Sequence, residues 1–479
     1  MPSTNPRFSP SRAAVAVVGV AATLTLGVTG APLQASAAAV KAAPADIAPI
    51  KFEQYTMPNG LRVILAPDNR KEAAPVIAVN VTYDVGSRDE KPGKSGFAHL
   101  FEHMMFQGSE NVGRGEHIYL INANGGTMNG TTSLDRTNYY ESLPANQLEL
   151  ALYLEADRMR SLDVSQENLD NQRSVVQEEK RQSYDNRPYG RVYETFSDLA
   201  YTNFAYKHTT IGSMEDLNSA TIDDVRGFFQ TYYAPNNAVL TVTGRFAPGD
   251  AKALIAKHFG PIIRKPQPPT TKLDEPSMFS AERRKTLSDP LAQQPQYFAG
   301  YITVAANQPD FDALLILGDI LSSGRTSRLY RALVETNKAT DIGAGPSEQA
   351  GVSPFFLQVS FPPGGDVAGA ESILDAEIQK VQTSGVTADE VATALAGERI
   401  DLIRSRQTAL GRANRIGLDA VIFKDPNRIN TRLKTMQAVT PADVQRVAQK
   451  YLVKTNRSVV ITQPAAKSTA DAQTKDGAK

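Results

Sequence analysis

His99, Glu102 and His103 stand within the segment Gly96-Phe-Ala-His99-Leu-Phe-Glu102-His103-Met-Met-Phe106. On a helix, residues four apart share a face, so both imidazoles converge on one point. Zinc suits that pair, binding histidine nitrogen at about 2.0–2.1 Å. Glu102 adjoins one histidine and lies three positions from the other, within reach of the fourth coordination position. A carboxylate there acts as general base toward a water whose pKa the metal lowers. The order His-x-x-Glu-His inverts the commoner His-Glu-x-x-His. The chain has five histidines in 479 residues, so a chance match is rare against the plainer reading of two histidines on an exposed helix.

A catalytic zinc takes three protein ligands and keeps one position open. The chain has no cysteine, which excludes thiolate ligands, disulfides and a lipidated cysteine anchor. The missing ligand is therefore expected to be a carboxylate on another element. Asn171-Gln-Arg-Ser-Val-Val-Gln-Glu-Glu-Lys-Arg181 is the richest candidate. Periodicity leaves Glu178 and Glu179 both open, since each lies three or four residues from the apolar pair Val175 and Val176.

The elements that must position these residues are a mixture of helices and strands. Helices are expected over 96–106, 147–160 and about 166–185. Asn59-Gly60 marks a hairpin turn before a short strand, Leu61 to Leu65. Val76 to Val85 alternates like a strand with one face buried. Strict βαβ alternation is missing, so the class is α+β.

The fold is written twice. Thr221, Asp224, Val225, Gln230, Tyr232, Asn237 and Thr243 recur as Thr440, Asp443, Val444, Gln449, Tyr451, Asn456 and Thr462, each displaced by 219 residues. Each copy reads as a Thr-capped helix, a turn and an apolar strand. Pro261, Pro266, Pro268, Pro269 and Pro276 stiffen a linker between the copies. The expected organisation is a signal peptide (1–37), a catalytic domain (38–259), a linker (260–288), a homologous inactive domain (289–466) and a tail (467–479).

Hydrophobic residues make up 41% and charged residues 21%, a globular balance. Lys+Arg and Asp+Glu both number 51, which speaks against nucleic acid and polybasic membrane anchoring. Arg7 and Arg12 precede an apolar run from Ala13 to about Pro32, then Ala35-Ser36-Ala37. That is the form of a cleavable signal, so the chain is expected to be exported, in a periplasm, with no membrane span after cleavage.

Taken with Asn129-Gly-Thr-Thr-Ser-Leu-Asp135-Arg-Thr137-Asn-Tyr139-Tyr, Leu154-Glu-Ala-Asp157-Arg158, Arg173 through Arg181, Asn203 through His208 and Tyr232-Tyr-Ala-Pro-Asn236-Asn237, the histidine segment resembles the pitrilysin/insulinase family of zinc peptidases. The likeness is strongest to its half-length, processing-peptidase-like members, and Ser327-Arg-Leu-Tyr330 resembles the family's inactive domain. The resemblance implies a zinc endopeptidase, with one zinc per chain, built as half of a clam-shell. Its third ligand lies about 76 residues after the second histidine in an Arg-x-Val-Val-x-x-Glu setting, which here selects Glu179. The family's acidic residue seven positions earlier is Gln172 in this chain. The resemblance also implies that Asn129 lies on a substrate-pairing edge strand, where the next residue, usually Ala, is Gly130. Phe106 matches the position lining the pocket beyond the scissile bond. His208 is expected to be structural, and His117 an exposed polar residue.

All five histidines precede residue 259, so the second copy lacks such a metal site. In the family a non-catalytic half supplies an Arg and, seven residues later, a Tyr that bind the substrate carbonyl. Val334 and Asp341 occupy those places here. A closed chamber is then expected to need a homologous partner that brings the pair, as a heterodimer, or otherwise a homodimer. Short or unfolded peptides are the implied substrates. The rival reading is a non-catalytic peptide-binding subunit.

Overall fold

Two sheets with helices packed on them make up the computed structural model, which describes residues 47–275 and 279–466. The expected signal peptide and tail lie outside the described residues. In the first sheet, β1 (Glu53–Thr56) and β2 (Arg62–Pro67) form the expected hairpin. Gly60 turns the chain at φ 92°, and its N–H donates to the Met57 carbonyl at 2.8 Å. The sheet continues with β3 (Val76–Tyr83), β4 (Thr127–Thr132), β5 (Thr137–Pro144) and β6 (Ala238–Gly244), in the order β1-β2-β6-β3-β5-β4. The pair β2/β6 is parallel and the other pairs are antiparallel. β4 is therefore an edge strand.

The second sheet repeats the plan with β7 (Arg283–Asp289), β8 (Gln296–Ala305), β9 (Asp341–Pro346), β10 (Val352–Ser360) and β11 (Arg457–Pro464), ordered β7-β11-β8-β10-β9. Its parallel pair, β7/β11, mirrors β2/β6. The sequence repeat is thus a repeat of structure. Thr221 and Thr440 open matching helices, Ile222–Tyr232 and Pro441–Tyr451, each with a full capping box closed by Asp224 or Asp443. Asn237 and Asn456 each donate from Nδ2 to the last-turn carbonyl of that helix, Tyr232 or Tyr451, at 2.9 Å. The expected linker (260–288) ends inside an element, because β7 begins at Arg283 and pairs along β11.

Each half lends a helix to the other half's sheet. The helix Val192–Ala200 packs on β8 and β11, with Phe196 among Phe298 and Phe356. In return the helix Ala409–Ile422 lies across β3 and β6. This corrects the expectation of one buried face for 76–85, since every residue of β3 after Val76 is buried. The alternation seen in the sequence is real, but its polar side is covered. Asn80 Nδ2 donates to Asn414 Oδ1 at 2.5 Å, and Thr243 Oγ1 to the Ala409 carbonyl at 2.6 Å. Among the described residues, no helix is long and apolar enough to cross a membrane.

Candidate active site

The histidine segment forms helix α1 (Phe97–Met104). Phe97, Leu100, Phe101 and Met104 are buried in the first core and fix its rotation. Its start is set by Gly96 at φ 87°, where a Cβ would come within 2.7 Å of the Ile211 carbonyl. Glycine offers no capping side chain, so the free helix N–H groups need another acceptor. Glu90 supplies it, accepting from Gly96 N at 2.9 Å and Ala98 N at 2.7 Å. A carboxylate at a helix N-terminus also opposes the helix dipole. His208 holds Glu90 in turn, with Nε2 at 2.8 Å from its carboxylate and Nδ1 at 2.7 Å from the Phe204 carbonyl. His208 therefore steadies the start of α1 and sits apart from the His99/His103 pair. Sequence reasoning missed Glu90; the available signal was a helix opening on Gly with an acid six residues earlier.

Helix α2 (Glu116–Ala123) follows, then α3 (Leu148–Ser161) and α4 (Gln166–Lys180), which is capped by the Ser165 hydroxyl. α4 presents Leu169, Gln172 and Val176 inward, whereas Val175 is 43% exposed. Glu179 lies three residues after the inward valine and Glu178 three after the outward one. Glu178 accordingly faces solvent, accepting from Arg181 at 3.1 Å and Gln182 at 2.9 Å. Glu179 Oε2 stands 3.4 Å from His103 Nε2 and 3.8 Å from His99 Nε2. One ligating atom from each of the three residues lies within 4.8 Å of the others. Burial pushes the His99 pKa down, which keeps its ring neutral with a lone pair to donate. Two imidazole nitrogens and one carboxylate at these separations fit the donor set of a catalytic zinc. Gln172, buried on the same face, donates to Asn171 Oδ1 at 2.7 Å.

Glu102 is 8% exposed, and its Oε2 accepts a 2.6 Å hydrogen bond from Thr132 Oγ1. Thr132 ends β4, so edge strand and carboxylate are tied together; the sequence reading did not single it out. Gly130, two residues earlier, keeps the approach open: a Cβ there would lie 3.0 Å from Glu102 Cγ and 3.2 Å from the Phe106 ring. Phe106 also packs on Tyr139, with centroids 5.7 Å apart, so it is half core and half site wall. Asn129 lies on β4 opposite Tyr140, and its Oδ1 accepts from Gly130 N at 2.9 Å. The fold thus gathers His99, His103 and Glu179 at one point; beside it stand Glu102 (whose charge acts on His99), Phe106 and the Asn129 strand.

His117 corrects an expectation. It is 5% exposed, with Nε2 at 2.9 Å from Glu141 Oε1. Helical spacing puts it on the inward face of α2 with Ile121, four residues on, while Tyr119 is 68% exposed. Glu155 completes this second buried cluster, and Arg158 pairs with it. In the second half, Val334 ends a single turn packed on the core and Asp341 begins β9.

Two family profiles match the chain: Insulinase (Peptidase family M16) over residues 63–213, and Peptidase M16 inactive domain over residues 219–397. Zinc protease PqqE of Helicobacter pylori is 30% identical over 420 residues, covering 86% of this chain and 93% of its own length. The chain belongs to peptidase family M16. A solved protease structure from Helicobacter pylori matches this M16 chain with a TM-score of 0.83 at 28% identity, over 87% of this chain and 100% of that one. The first half of the periplasmic protease PqqL from Escherichia coli shares the fold, with a TM-score of 0.69 at 19% identity over 86% of this chain and 92% of that one. In this M16 chain the insulinase match spans α1 and α4, and so contains all four clustered residues.

Proposed function

We propose that the chain is a zinc-dependent endopeptidase of processing type, with His99, His103 and Glu179 as metal ligands and Glu102 as the base. The observation that carries this reading is the convergence of His99, His103 and Glu179, with Glu102 on the same helix as the histidines and tied to the edge strand β4 by Thr132. Zinc, when bound, supplies the Lewis acidity that activates a water and polarises the scissile carbonyl. Glu102 takes the proton of the attacking water and returns it to the leaving amine nitrogen. Thr132 holds one of its oxygens and orients the other. The outer edge of β4 near Asn129 pairs with an extended peptide through main-chain hydrogen bonds. Phe106 borders the side chain just past the scissile bond. Short or unfolded peptides enter a chamber closed by a second, homologous chain. Because Val334 and Asp341 offer no Arg–Tyr pair, that chain supplies it as a heterodimer partner. The leader sends the protein out of the cytoplasm, to a periplasm.

The second reading, a non-catalytic peptide-binding subunit, is favoured by that missing pair alone. A pool of short peptides incubated with the zinc-loaded chain separates the two. An endopeptidase yields internal fragments by mass spectrometry, whereas a binding subunit retains intact peptides.

The two neighbouring glutamates give a sharper test of the ligand set. Glu179→Gln is expected to weaken zinc binding by at least roughly a hundredfold, since even outer-shell changes cost ten- to a hundredfold. Glu178→Gln is expected to bind zinc as the unmutated chain does. Equilibrium dialysis against buffered zinc reads both, and equal losses would remove Glu179 from the ligand set.

A further inference from the structure

A cavity of about 330 Å³ lies on the opposite face of β4 and β5 from Glu102, roofed by the helix Ala409–Ile422 of the second half. Arg136, Arg415, Asn138, Asn414, Tyr140 and Thr131 line it, and none of its lining residues is acidic. Arg415 is already neutralised, with Glu348 at 3.0 Å and Asp419 at 2.7 Å. Arg136 is different: among the described residues no carboxylate lies within ion-pair distance of it, and of the carboxylates only the longer-range charges of Glu102 and Asp135 act on it. Its hydrogen bonds run from Nη1, to the Thr131 carbonyl at 2.7 Å, the Thr131 hydroxyl and Asn138 Oδ1 at 2.8 Å. These brace the guanidinium across the β4/β5 turn, beside the cavity that Arg136 lines.

The strand register connects this cavity to the site. Gly130 and Thr132 face Glu102, so Asn129 and Thr131 face the other way, Thr131 into the cavity. A peptide added along the outer edge of β4 alternates in the same manner. Side chains neighbouring the one over Glu102 point to the face that carries the cavity.

We propose that this cavity is a substrate subsite selecting an acidic side chain, whose carboxylate meets the braced Arg136 guanidinium with Asn138, Asn414 and Tyr140 around it. The inference deepens the peptidase reading and rests on it for the placement of the peptide. A carboxylate offered to an arginine without an ion-pair partner gains a charge-assisted pair, while a neutral amide leaves the cation unmatched. The expected preference is about ten- to a hundredfold.

The test compares peptides carrying Glu with partners carrying Gln. The zinc-loaded chain digests a mixed peptide library, and mass spectrometry locates each cut. Acidic residues are expected to be enriched at one fixed position from the scissile bond. At that position the Glu/Gln ratio of kcat/KM is expected to be ten or more. Arg136→Glu is expected to turn the preference toward Lys. Asn414→Asp keeps the acceptor used by Asn80 but puts a carboxylate in the cavity, so it serves if the first variant does not fold, and its ratio is expected to fall toward one. Cleavage with no acidic enrichment, or a ratio unchanged in both variants, overturns the subsite and leaves the peptidase reading intact. Binding of the same peptides to Glu102→Gln, by fluorescence anisotropy, gives a readout that needs no turnover. A Glu preference there that Asn414→Asp removes upholds the subsite even if the unmutated chain cuts nothing. Equal or absent binding of the pairs overturns it.

Discussion

Glu102→Gln is expected to lower peptide cleavage by about a thousandfold while zinc stays bound, within the range for loss of a general acid–base. The substitution keeps the shape of the side chain and a carbonyl oxygen for the 2.6 Å bond from Thr132. It removes the basicity together with the negative charge. The donor atoms of His99, His103 and Glu179 are untouched, so metal content and unfolding temperature are expected to match the unmutated chain. Initial rates at saturating peptide, paired with metal analysis of the same samples, check this. Activity within tenfold of the unmutated chain would mean that another group takes the proton.

Above about pH 8, where Glu155 is ionised, Arg158→Met is expected to destabilise the fold by roughly 3–5 kcal/mol, the usual cost of stranding one partner of a buried ion pair. Arg158 is 2% exposed; its Nε donates to Glu155 Oε2 at 3.0 Å, and Nη2 pairs with Oε1. The guanidinium also lies 4.4 Å from the Tyr139 ring centroid and 5.3 Å from that of Phe106, so it supports the wall of the site. Glu141 and Glu155 are wholly buried, and burial pushes their pKa values up to about 7 and about 8. Burial and the Arg158 charge push His117 down to about 3. A carboxyl whose folded value is raised contributes stability that is full below its unfolded value, about 4.3, and lost as pH rises through the folded value. A lowered histidine acts oppositely, its contribution present above about 6.5 and lost as pH falls. Between about pH 6.5 and 8 the carboxyls alone titrate in this cluster. Its contribution therefore declines there with rising pH, by up to about 1.4 kcal/mol per pH unit for each proton. Urea unfolding across that window is expected to show the decline, and Glu141→Gln a shallower one. In the double variant with Glu155→Gln, part of the Arg158→Met loss above about pH 8 is expected to return, because the carboxylate that would be stranded there is gone. A loss below about 1 kcal/mol for Arg158→Met would mean that the pair is not holding this wall.

The sequence carried the site better than its supports. His99, Glu102 and His103 were legible because three residue types at helical spacing have one economical use. The choice between Glu178 and Glu179 was beyond periodicity, since adjacent valines give no inward direction. Packing turns Glu179 rather than Glu178 toward the two histidines, by burying Val176 and exposing Val175. The repeat was legible because capping boxes and the Asn237/Asn456 bonds depend on single side chains at fixed offsets. The covered face of β3 was hidden, because its cover arrives from a helix more than 300 residues later in the chain. His117 was misread for a similar reason: its partners Glu141 and Glu155 come from β5 and α3, so nothing local marks it as buried. Glu90 and Thr132 act through one hydrogen-bonding shell around α1, a relation that no local pattern encodes.

The most direct measurement is a zinc titration of the metal-free protein, purified from its source with any homologous chain that accompanies it, while cleavage of a single peptide is followed. The expected result is no cleavage without metal and a rise to a plateau at one zinc per chain, abolished by chelation. Cleavage that persists at full rate after the metal is removed would contradict the assignment of His99, His103, Glu179 and Glu102 as the catalytic centre.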